Sequence, residues 1–149
     1  QTTLTYPYGG WVATSPLEVI AANIHQNLHT LALLDLDPTG EGIGHQLPMK
    51  PQDAVVSLRL MWEKLAEAIE EMPQETALQS MRFEACEALL SGDLDSMNVV
   101  LCSDMGTEDE SIVATTVGQL EGQTGGRLNS LVFQSKASEV EEKALLRWR

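Results

Sequence analysis

The spacing of apolar residues changes its period near Gly92, and this change restricts the fold more than any other feature of the sequence. Before Gly92, apolar residues recur every three or four positions, which is typical of helices that bury one face. After it come short runs rich in β-branched residues, which are typical of strands. Helices and strands segregated along a chain in this way predict an α+β fold rather than alternating α/β units.

Three helices are predicted before Gly92, and two of them form a hairpin. The first has a strong start signal, because Ser15, Pro16 and Glu18 supply a capping side chain, a proline in the first turn and a capping-box acid. The short turn at Pro73 predicts that the second and third helices pack antiparallel. The predicted helices cover about 16–35, Pro51 to the residue before Pro73, and about 75–91.

A short antiparallel β-meander and a last helix are predicted beyond Gly92. The middle segment, 112–120, fits a strand but also fits a helix that begins after an acidic run. The glycine-rich GQTGG sequence at 122–126 is predicted to be a flexible turn. The strands cover 97–103, 112–120 and 128–135, and the last helix covers about 139–148. Residues 1–14 are predicted to be an edge strand or an extended arm of a single domain that covers 1–149.

The formal net charge of −13, from 22 acidic and nine basic residues, limits the classes of partner. Nucleic acids and anionic membranes both bind clustered Lys and Arg, so neither is predicted as a partner. The charge fits a basic protein partner, or solubility alone. The two cysteines do not make a disulfide framework. No signal peptide is recognised, so the cytoplasm is the default expectation, although a processed segment before Gln1 would change it.

His25 and His29 are the first candidate site. On a helix that covers 16–35, these residues lie four positions apart, and with Glu18 they line one flank beside the apolar stripe. Two neutral imidazoles at this spacing can share a divalent metal ion. The residue after His25 is Gln26, so the HExxH pattern of metal-dependent hydrolases is absent. The alternative is that both histidines are boundary residues that contact their neighbours or solvent.

A third metal ligand would come from the loop that follows. Asp35, Asp37 and His45 are the candidates. Residues 35–41 resemble the first half of an EF-hand calcium loop, with acids at positions one and three and glycine at six. The resemblance ends at Gln46, where the twelfth position of an EF-hand carries glutamate. The alternative is an ordinary polar turn.

Two further groups are candidates for contact with a protein partner. The N-terminal segment carries three aromatic residues of the kind that anchor interfaces, and residues 93–110 form an acidic stretch without a base. The alternatives are an arm that folds back on its own core and an acidic stretch that is only solvated. The candidate residues are Tyr6, Tyr8, Trp11, Asp104, Glu108, Asp109 and Glu110.

The sequence contains no complete catalytic constellation, and three hypotheses follow. The leading hypothesis is a small acidic, non-enzymatic interaction module, such as an adaptor, an inhibitor, an immunity-type protein or an assembly subunit. The second is a metal-binding protein or metal-dependent hydrolase that uses His25 and His29. The third is a structural subunit of a homo-oligomer. No cofactor is predicted apart from a divalent metal ion in the second hypothesis.

Overall fold

The computed structural model describes residues 1–37 and 47–149, with Asp37 described by its backbone alone. The α+β class is confirmed: within the described residues, five helices accompany a five-stranded mixed sheet. The helices are α1 (Ser15–His25), α2 (Pro51–Ala68), α3 (Ala77–Leu90), α4 (Val117–Leu120) and α5 (Glu139–Leu145). The strands are β1 (Thr2–Leu4), β2 (Thr30–Leu34), β3 (Leu36–Asp37), β4 (Leu47–Pro48), β5 (Asn98–Ser103), β6 (Ser111–Thr116) and β7 (Asn129–Phe133).

The large sheet has the strand order β1-β2-β7-β5-β6, and β3 pairs with β4 in a separate ribbon. Strand β1 is parallel to β2, whereas β7 is antiparallel to both β2 and β5. Strands β1, β2 and β5 therefore run in one direction, and their carboxyl ends lie at the same side of the sheet. We call this side the carboxyl edge; it contains the ends of those strands and Asn129, which begins β7 opposite Ser103.

The first helix is shorter than predicted, and the part of the prediction beyond His25 is wrong. Helix α1 ends at His25, Asn27 has a left-handed backbone with φ of 61°, and residues from Thr30 form β2. Apolar residues in a short run such as TLALL fit a helix or a strand equally well by spacing. The segment is a strand because it pairs with β1 on one side and with β7 on the other. This pairing buries Thr30 and Ala32.

The two alternatives for 112–120 each hold for part of the segment. Residues Ser111–Thr116 form β6, an edge strand paired with β5 alone, and Val117–Leu120 form the short helix α4. Val117 and Leu120 are fully buried, so the chain turns into the core there. The predicted β-meander, with 112–120 as its middle strand, is wrong in its strand order, because β5 lies between β6 and β7 and pairs with both.

The core lies between one face of the sheet and the helices α1 and α2. Alternate residues of the central strands point to this side, and each fully buried aliphatic or aromatic side chain stabilises the fold by roughly 1.5–3 kcal/mol. Helix α5 covers part of the opposite face, where Leu145 lines a small apolar cavity with Val100 and Val132. The largest core residues include Leu17, Ile20, Leu58, Met61, Leu101, Leu131 and Phe133.

Strand β1 belongs to the sheet, which matches the edge-strand alternative for the N-terminal residues. Leu4 is fully buried, and the Ser57 hydroxyl donates a hydrogen bond of 2.9 Å to the carbonyl of Thr5. The chain then makes a 3₁₀ turn at Tyr8–Gly10 before α1. No helix in the described ranges has the length and apolarity needed to cross a membrane.

Candidate functional site

The carboxyl edge contains two buried polar side chains, Ser103 and Asn129. They are 3% and 8% exposed, and the Ser103 hydroxyl donates a hydrogen bond of 2.8 Å to Asn129 Oδ1. Buried polar groups are costly unless they are fully hydrogen-bonded, so a pair of this kind at the end of a sheet needs a supporting frame.

The Asn129 amide supplies that frame. Its Oδ1 also accepts the Gly126 N–H at 2.8 Å, and its Nδ2 donates to the carbonyls of Met49 at 3.2 Å and Gly126 at 3.1 Å. Both hydrogens and both acceptor positions of the amide are therefore used. Asn129 connects β7 to the end of β5 at Ser103, to the residues just before α2, and to the loop before its own strand.

Asp104, directly after β5, forms hydrogen bonds to the last residues of the loop that precedes β7. Its Oδ1 accepts the backbone N–H groups of Arg127 and Leu128, each at 2.9 Å, and its own N–H donates to the Leu128 carbonyl at 2.9 Å. We call Glu121–Leu128 the edge loop. Its other end is held from α2, because Gln52 Nε2 donates to the carbonyls of Glu121 and Gln123 at 2.7 Å each.

Two glycines allow the edge loop to pack this closely. Gly125 has φ of 66°, and a Cβ added there would lie 2.7 Å from Asn129 Oδ1. A Cβ at Gly126 would lie 2.6 Å from Asp104 Cγ. The GQTGG turn predicted from sequence as flexible is thus built around close contacts with two side chains, for which only glycine leaves room.

Apolar side chains are exposed at the same side of the molecule. The β3–β4 ribbon continues β2 beyond the carboxyl edge and exposes Leu36 and Leu47, while Met105 and Leu128 are exposed beside the Asp104 contacts. Leu128 is 69% exposed. Apolar surface around a few fixed polar groups is the composition of a ligand-binding or interface surface.

The sequence missed Ser103 and Asn129 as site residues, although signals for both were present. Ser103 and Asp104 are polar residues directly after a buried apolar run, and Asn129 follows the glycine pair at 125–126. A polar residue at the end of a predicted strand is a useful pointer, because strand ends carry binding residues in many folds. Sequence order did not show that β5 and β7 are neighbours, so the two residues could not be paired.

The helical histidine pair does not exist in the structure. His25 ends α1, whereas His29 lies in the loop before β2, where its Nδ1 accepts the Ser135 N–H at 3.0 Å and its Nε2 lies 3.1 Å from Glu141 Oε1. Because Nδ1 is an acceptor, the hydrogen of the neutral ring is on Nε2 and is donated to Glu141.

The remaining metal candidates do not assemble into a site within the part of the chain that is described. No group of three or more His, Cys, Asp or Glu residues there could hold a metal ion. Asp35 Oδ1 accepts the N–H of Leu36 at 2.8 Å. His45 and the side chain of Asp37 lie outside the described residues, so their part in the prediction stays a prediction.

Glu141 joins the His29 contact to the cap of α5. Its carboxylate accepts the Ser138 N–H at 2.6 Å, and this hydrogen bond, followed by the one from His29, lowers the pKa of Glu141 below its ordinary value. The contact fastens the start of α5 to the loop before β2.

The aromatic candidates for partner contact separate into two kinds. Tyr6 is partly buried and packs against the core, whereas Tyr8 and Trp11 are 65% and 64% exposed. Lys64 Nζ lies 5.2 Å from the centre of the Trp11 ring and donates to the Val12 carbonyl at 2.8 Å. Tyr8 and Trp11 therefore remain accessible, and their role in binding a partner stays a prediction.

The acidic candidates lie in the turn between β5 and β6. Asp104 is an internal hydrogen-bond acceptor, and Glu110 Oε2 accepts the N–H of Gly106 at 2.8 Å. Glu108 and Asp109 are exposed. Two of the four acids, Asp104 and Glu110, therefore form hydrogen bonds within the protein. That the acidic residues bind a basic protein partner stays a prediction.

A concave region lies at the opposite side of the molecule, between α1 and α3. This α1–α3 cavity has a volume of about 530 Å³, with small side chains such as Ala85 and Ala88 in its wall and His25 and Asp93 among its polar lining residues. Cys86, also on α3, is a buried free thiol, and burial raises its pKa to about 11. A thiol with this pKa is protonated at neutral pH and is a poor nucleophile.

Comparison with known proteins relates the chain to diphthine synthases. No family model matches it. A stretch of 62 residues, 42% of this chain and 22% of the relative, is 40% identical to the diphthine synthase of Pyrobaculum calidifontis. A stretch of 36 residues, 24% of this chain and 14% of the relative, is 50% identical to the diphthine synthase of Methanocorpusculum labreanum.

Solved structures show the same fold over nearly the whole chain. A proposed diphthine synthase from Entamoeba histolytica matches 99% of this chain and 50% of its own, with a TM-score of 0.69 and 21% identity. A diphthine synthase structure matches with a TM-score of 0.62 and 20% identity, and a conserved hypothetical protein from Aeropyrum pernix K1 with 0.65 and 23%. These two also match 99% of this chain, which covers 43% and 44% of their lengths. The chain thus spans about half the length of these structures.

These similarities overturn the functional hypotheses drawn from the sequence. The leading interpretation, a non-enzymatic adaptor, inhibitor or assembly subunit, is wrong, because both sequence relatives are diphthine synthases and the fold is that of structures described as such enzymes. The alternatives of a metal-dependent hydrolase and a purely structural subunit are not supported either. A strong negative charge and the lack of a recognisable catalytic motif led to these errors, and neither property is specific to non-enzymes.

Proposed function

We propose that this chain is one domain of a diphthine synthase-type enzyme, which transfers a methyl group from S-adenosylmethionine. The observation that carries the proposal is the 40% identity over 62 residues to a diphthine synthase. The match of the whole fold to structures of such enzymes supports it. The activity of the whole enzyme is part of the proposal, because the chain covers about half of the matching structures and the aligned stretch covers 22% of the sequence relative.

We place the methyl-donor site at the carboxyl edge. The edge combines exposed apolar side chains, among them Met105 and Leu128, with the polar frame of Ser103 and Asn129. Apolar side chains can cover an adenine ring and exclude water, while a rigid polar frame fixes orientation. The same apolar residues offer a surface against the region that makes the relatives about twice as long.

The charges at the edge fit a cationic donor better than a phosphate-bearing cofactor. S-adenosylmethionine supplies a methyl group on a positively charged sulfur, which an anionic surface attracts. Exposed Glu108 and Asp109, in the turn directly after β5, give this side of the molecule such a surface. The chain also has no glycine-rich phosphate loop of the P-loop type, and its net charge is −13.

Titration of the isotope-labelled chain with S-adenosylmethionine tests the proposal by NMR. Backbone amide signals of Ser103–Met105 and Arg127–Asn129 should shift in a saturable way, because these residues line the edge. NMR detects millimolar binding, so a site that this domain only partly forms remains measurable. ATP, which carries the same adenosine with a triphosphate, serves as the matched ligand control and should shift these signals much less.

Two results would count against the proposal. One is the absence of any saturable shift at millimolar donor. The other is a set of shifts confined to the α1–α3 cavity, around Ala85 and Asp93, which would place the ligand at the other side of the molecule.

A further inference from the structure

Asp104 has an unusual backbone conformation, and its side chain is hydrogen-bonded to the edge loop. Its φ of 50° is in the left-handed region, which is uncommon for residues other than glycine, although Asp and Asn tolerate it best. Three bonds hold this backbone: the Asp104 N–H donates to the Leu128 carbonyl, and the N–H and the hydroxyl of Thr107 donate to the Asp104 carbonyl at 3.1 Å and 2.7 Å. A strained residue persists only where its surroundings fix it, and such residues often lie at functional sites.

The strained backbone directs the carboxylate at the edge loop. One oxygen accepts two consecutive N–H groups, those of Arg127 and Leu128. Hydrogen bonds to a charged acceptor are about twice as strong as neutral ones. Gly126 passes so close to this carboxylate that a Cβ there would collide with it. The Asp104 side chain therefore holds Arg127 and Leu128 toward the end of β5, beside the Asn129 amide, which holds Gly126.

We infer that Asp104 is a positioning residue, whose carboxylate holds the edge loop in the shape in which it lines the donor site. The inference rests on the proposed function for the ligand, but the holding of the loop is a separate physical claim. Asp104 acts through the backbone of Arg127 and Leu128 and so presents Leu128 and Asn129 at the carboxyl edge. Nothing in the contact depends on the rest of the enzyme.

Three substitutions separate the carboxylate from the backbone strain. Asp104→Asn keeps both the tolerance of a left-handed backbone and an oxygen that can accept the two N–H groups. Asp104→Gly removes the carboxylate and also relieves the strain. Asp104→Ala removes the carboxylate and keeps the strain. Asp109→Asn is the matched control, because it makes the same charge change in the same turn at an exposed residue whose side chain makes no hydrogen bond within the described residues.

Limited digestion with trypsin measures the order of the loop directly. Arg127 is exposed and lies inside the edge loop, so the Arg127–Leu128 bond is cut only when the loop leaves its place. Cleavage after Lys136, in the exposed connection between β7 and α5, is the internal reference. We expect Asp104→Ala and Asp104→Gly to raise the relative rate at Arg127 by at least about tenfold, since two charge-assisted bonds are lost. Asp104→Asn should stay within about threefold of the wild type.

The thermal midpoint distinguishes positioning from general support of the fold. Because glycine relieves the strain, Asp104→Gly should keep a midpoint near that of the wild type while its loop is cut faster. If Asp104→Gly and Asp104→Ala leave the Arg127 rate unchanged, the inference is overturned. It is also overturned if cleavage at Arg127 and at Lys136 rises together with a falling midpoint, because that result means general unfolding.

The same variants in the donor titration connect the loop to the ligand. S-adenosylmethionine should bind Asp104→Ala and Asp104→Gly at least about tenfold more weakly than the wild type, with Asp104→Asn restoring most of the affinity. Equal binding by all variants would overturn the positioning role. If the wild type itself does not bind the donor, the proposed function fails, and the cleavage rates still decide whether Asp104 fixes the loop.

Discussion

Asn129 is the residue on which the polar frame of the carboxyl edge depends. Its amide makes four hydrogen bonds while only 8% of the residue is exposed. Removing it leaves the Ser103 hydroxyl, the Gly126 N–H and the Met49 carbonyl without their partner in a buried place. We expect Asn129→Ala to lower the free energy of unfolding by about 2–4 kcal/mol, as measured by urea denaturation.

Asn98→Ala is the control for this substitution. Asn98 is exposed and its side chain makes no hydrogen bond within the described residues, so its loss should change stability by no more than about 0.5 kcal/mol. Equal effects of the two substitutions would show that the Asn129 network contributes little.

Glu141 makes the stability of the protein depend on pH in the acid range. Its pKa in the folded protein is lowered, mainly by the Ser138 N–H and then by His29. The stabilisation is therefore complete above its unfolded pKa, roughly 4.3, and is lost as the pH falls through the lower folded value. Glu141→Gln should flatten this part of the curve of unfolding free energy against pH.

Glu84→Gln provides the comparison for the acid range. Glu84 is exposed on α3 and makes no ion pair or hydrogen bond within the described residues, so its substitution should leave the slope of the curve unchanged. A wild-type curve that has the same slope as that of Glu141→Gln would show that the Ser138 and His29 contacts do not hold the carboxylate.

At the scale of elements, Asn27 ends α1 and turns the chain into β2. Its φ of 61° costs about 1–2 kcal/mol for a residue with a Cβ, and its Oδ1 accepts hydrogen bonds from the Ser135 hydroxyl and the Lys136 N–H. Asn27→Ala and Asn27→Gly both lose these bonds, but only alanine retains the strain. We expect Asn27→Ala to be less stable than Asn27→Gly by about 1 kcal/mol in thermal or urea unfolding.

At the neighbouring residue, Gln26, we expect the opposite order of stability for the alanine and glycine variants. Gln26 has φ of −95°, where glycine has no conformational advantage. There, alanine should be as stable as glycine or more stable, because glycine loses more backbone entropy on folding. The same order at both positions would show that the left-handed turn does not decide where α1 ends.

At the scale of the whole molecule, strand β1 belongs to the core although it lies at the edge of the sheet. Leu4 is fully buried and Leu128 is 69% exposed. Leu4→Ala should lower the free energy of unfolding by about 2–5 kcal/mol, whereas Leu128→Ala should change it by no more than about 0.5 kcal/mol. A neutral Leu4→Ala would favour a detached N-terminal arm, the alternative that the sequence also allowed.

The fold class and most element types were predictable from local pattern, because capping signals and apolar spacing act within a few residues. Pro51 begins α2 as expected, and the Ser138 cap with Glu141 begins α5. Residues 30–34 were predicted wrongly, because the strand is decided by its partners β1 and β7, which are distant in the sequence. The shared helical flank that the metal hypothesis assumed for His25 and His29 is absent for the same reason, because α1 ends at His25.

The sequence alone determined the α+β class, the strong negative charge and the absence of common catalytic motifs, since these depend on composition and short-range order. Only the tertiary structure decided which strand ends meet, and so brought Ser103, Asp104 and Asn129 together at the carboxyl edge. Strand pairing is set by contacts between residues far apart in the chain, here β5 with β7 across the edge loop. A site that is built from such contacts has no local signature, which is why it became visible only in the folded molecule.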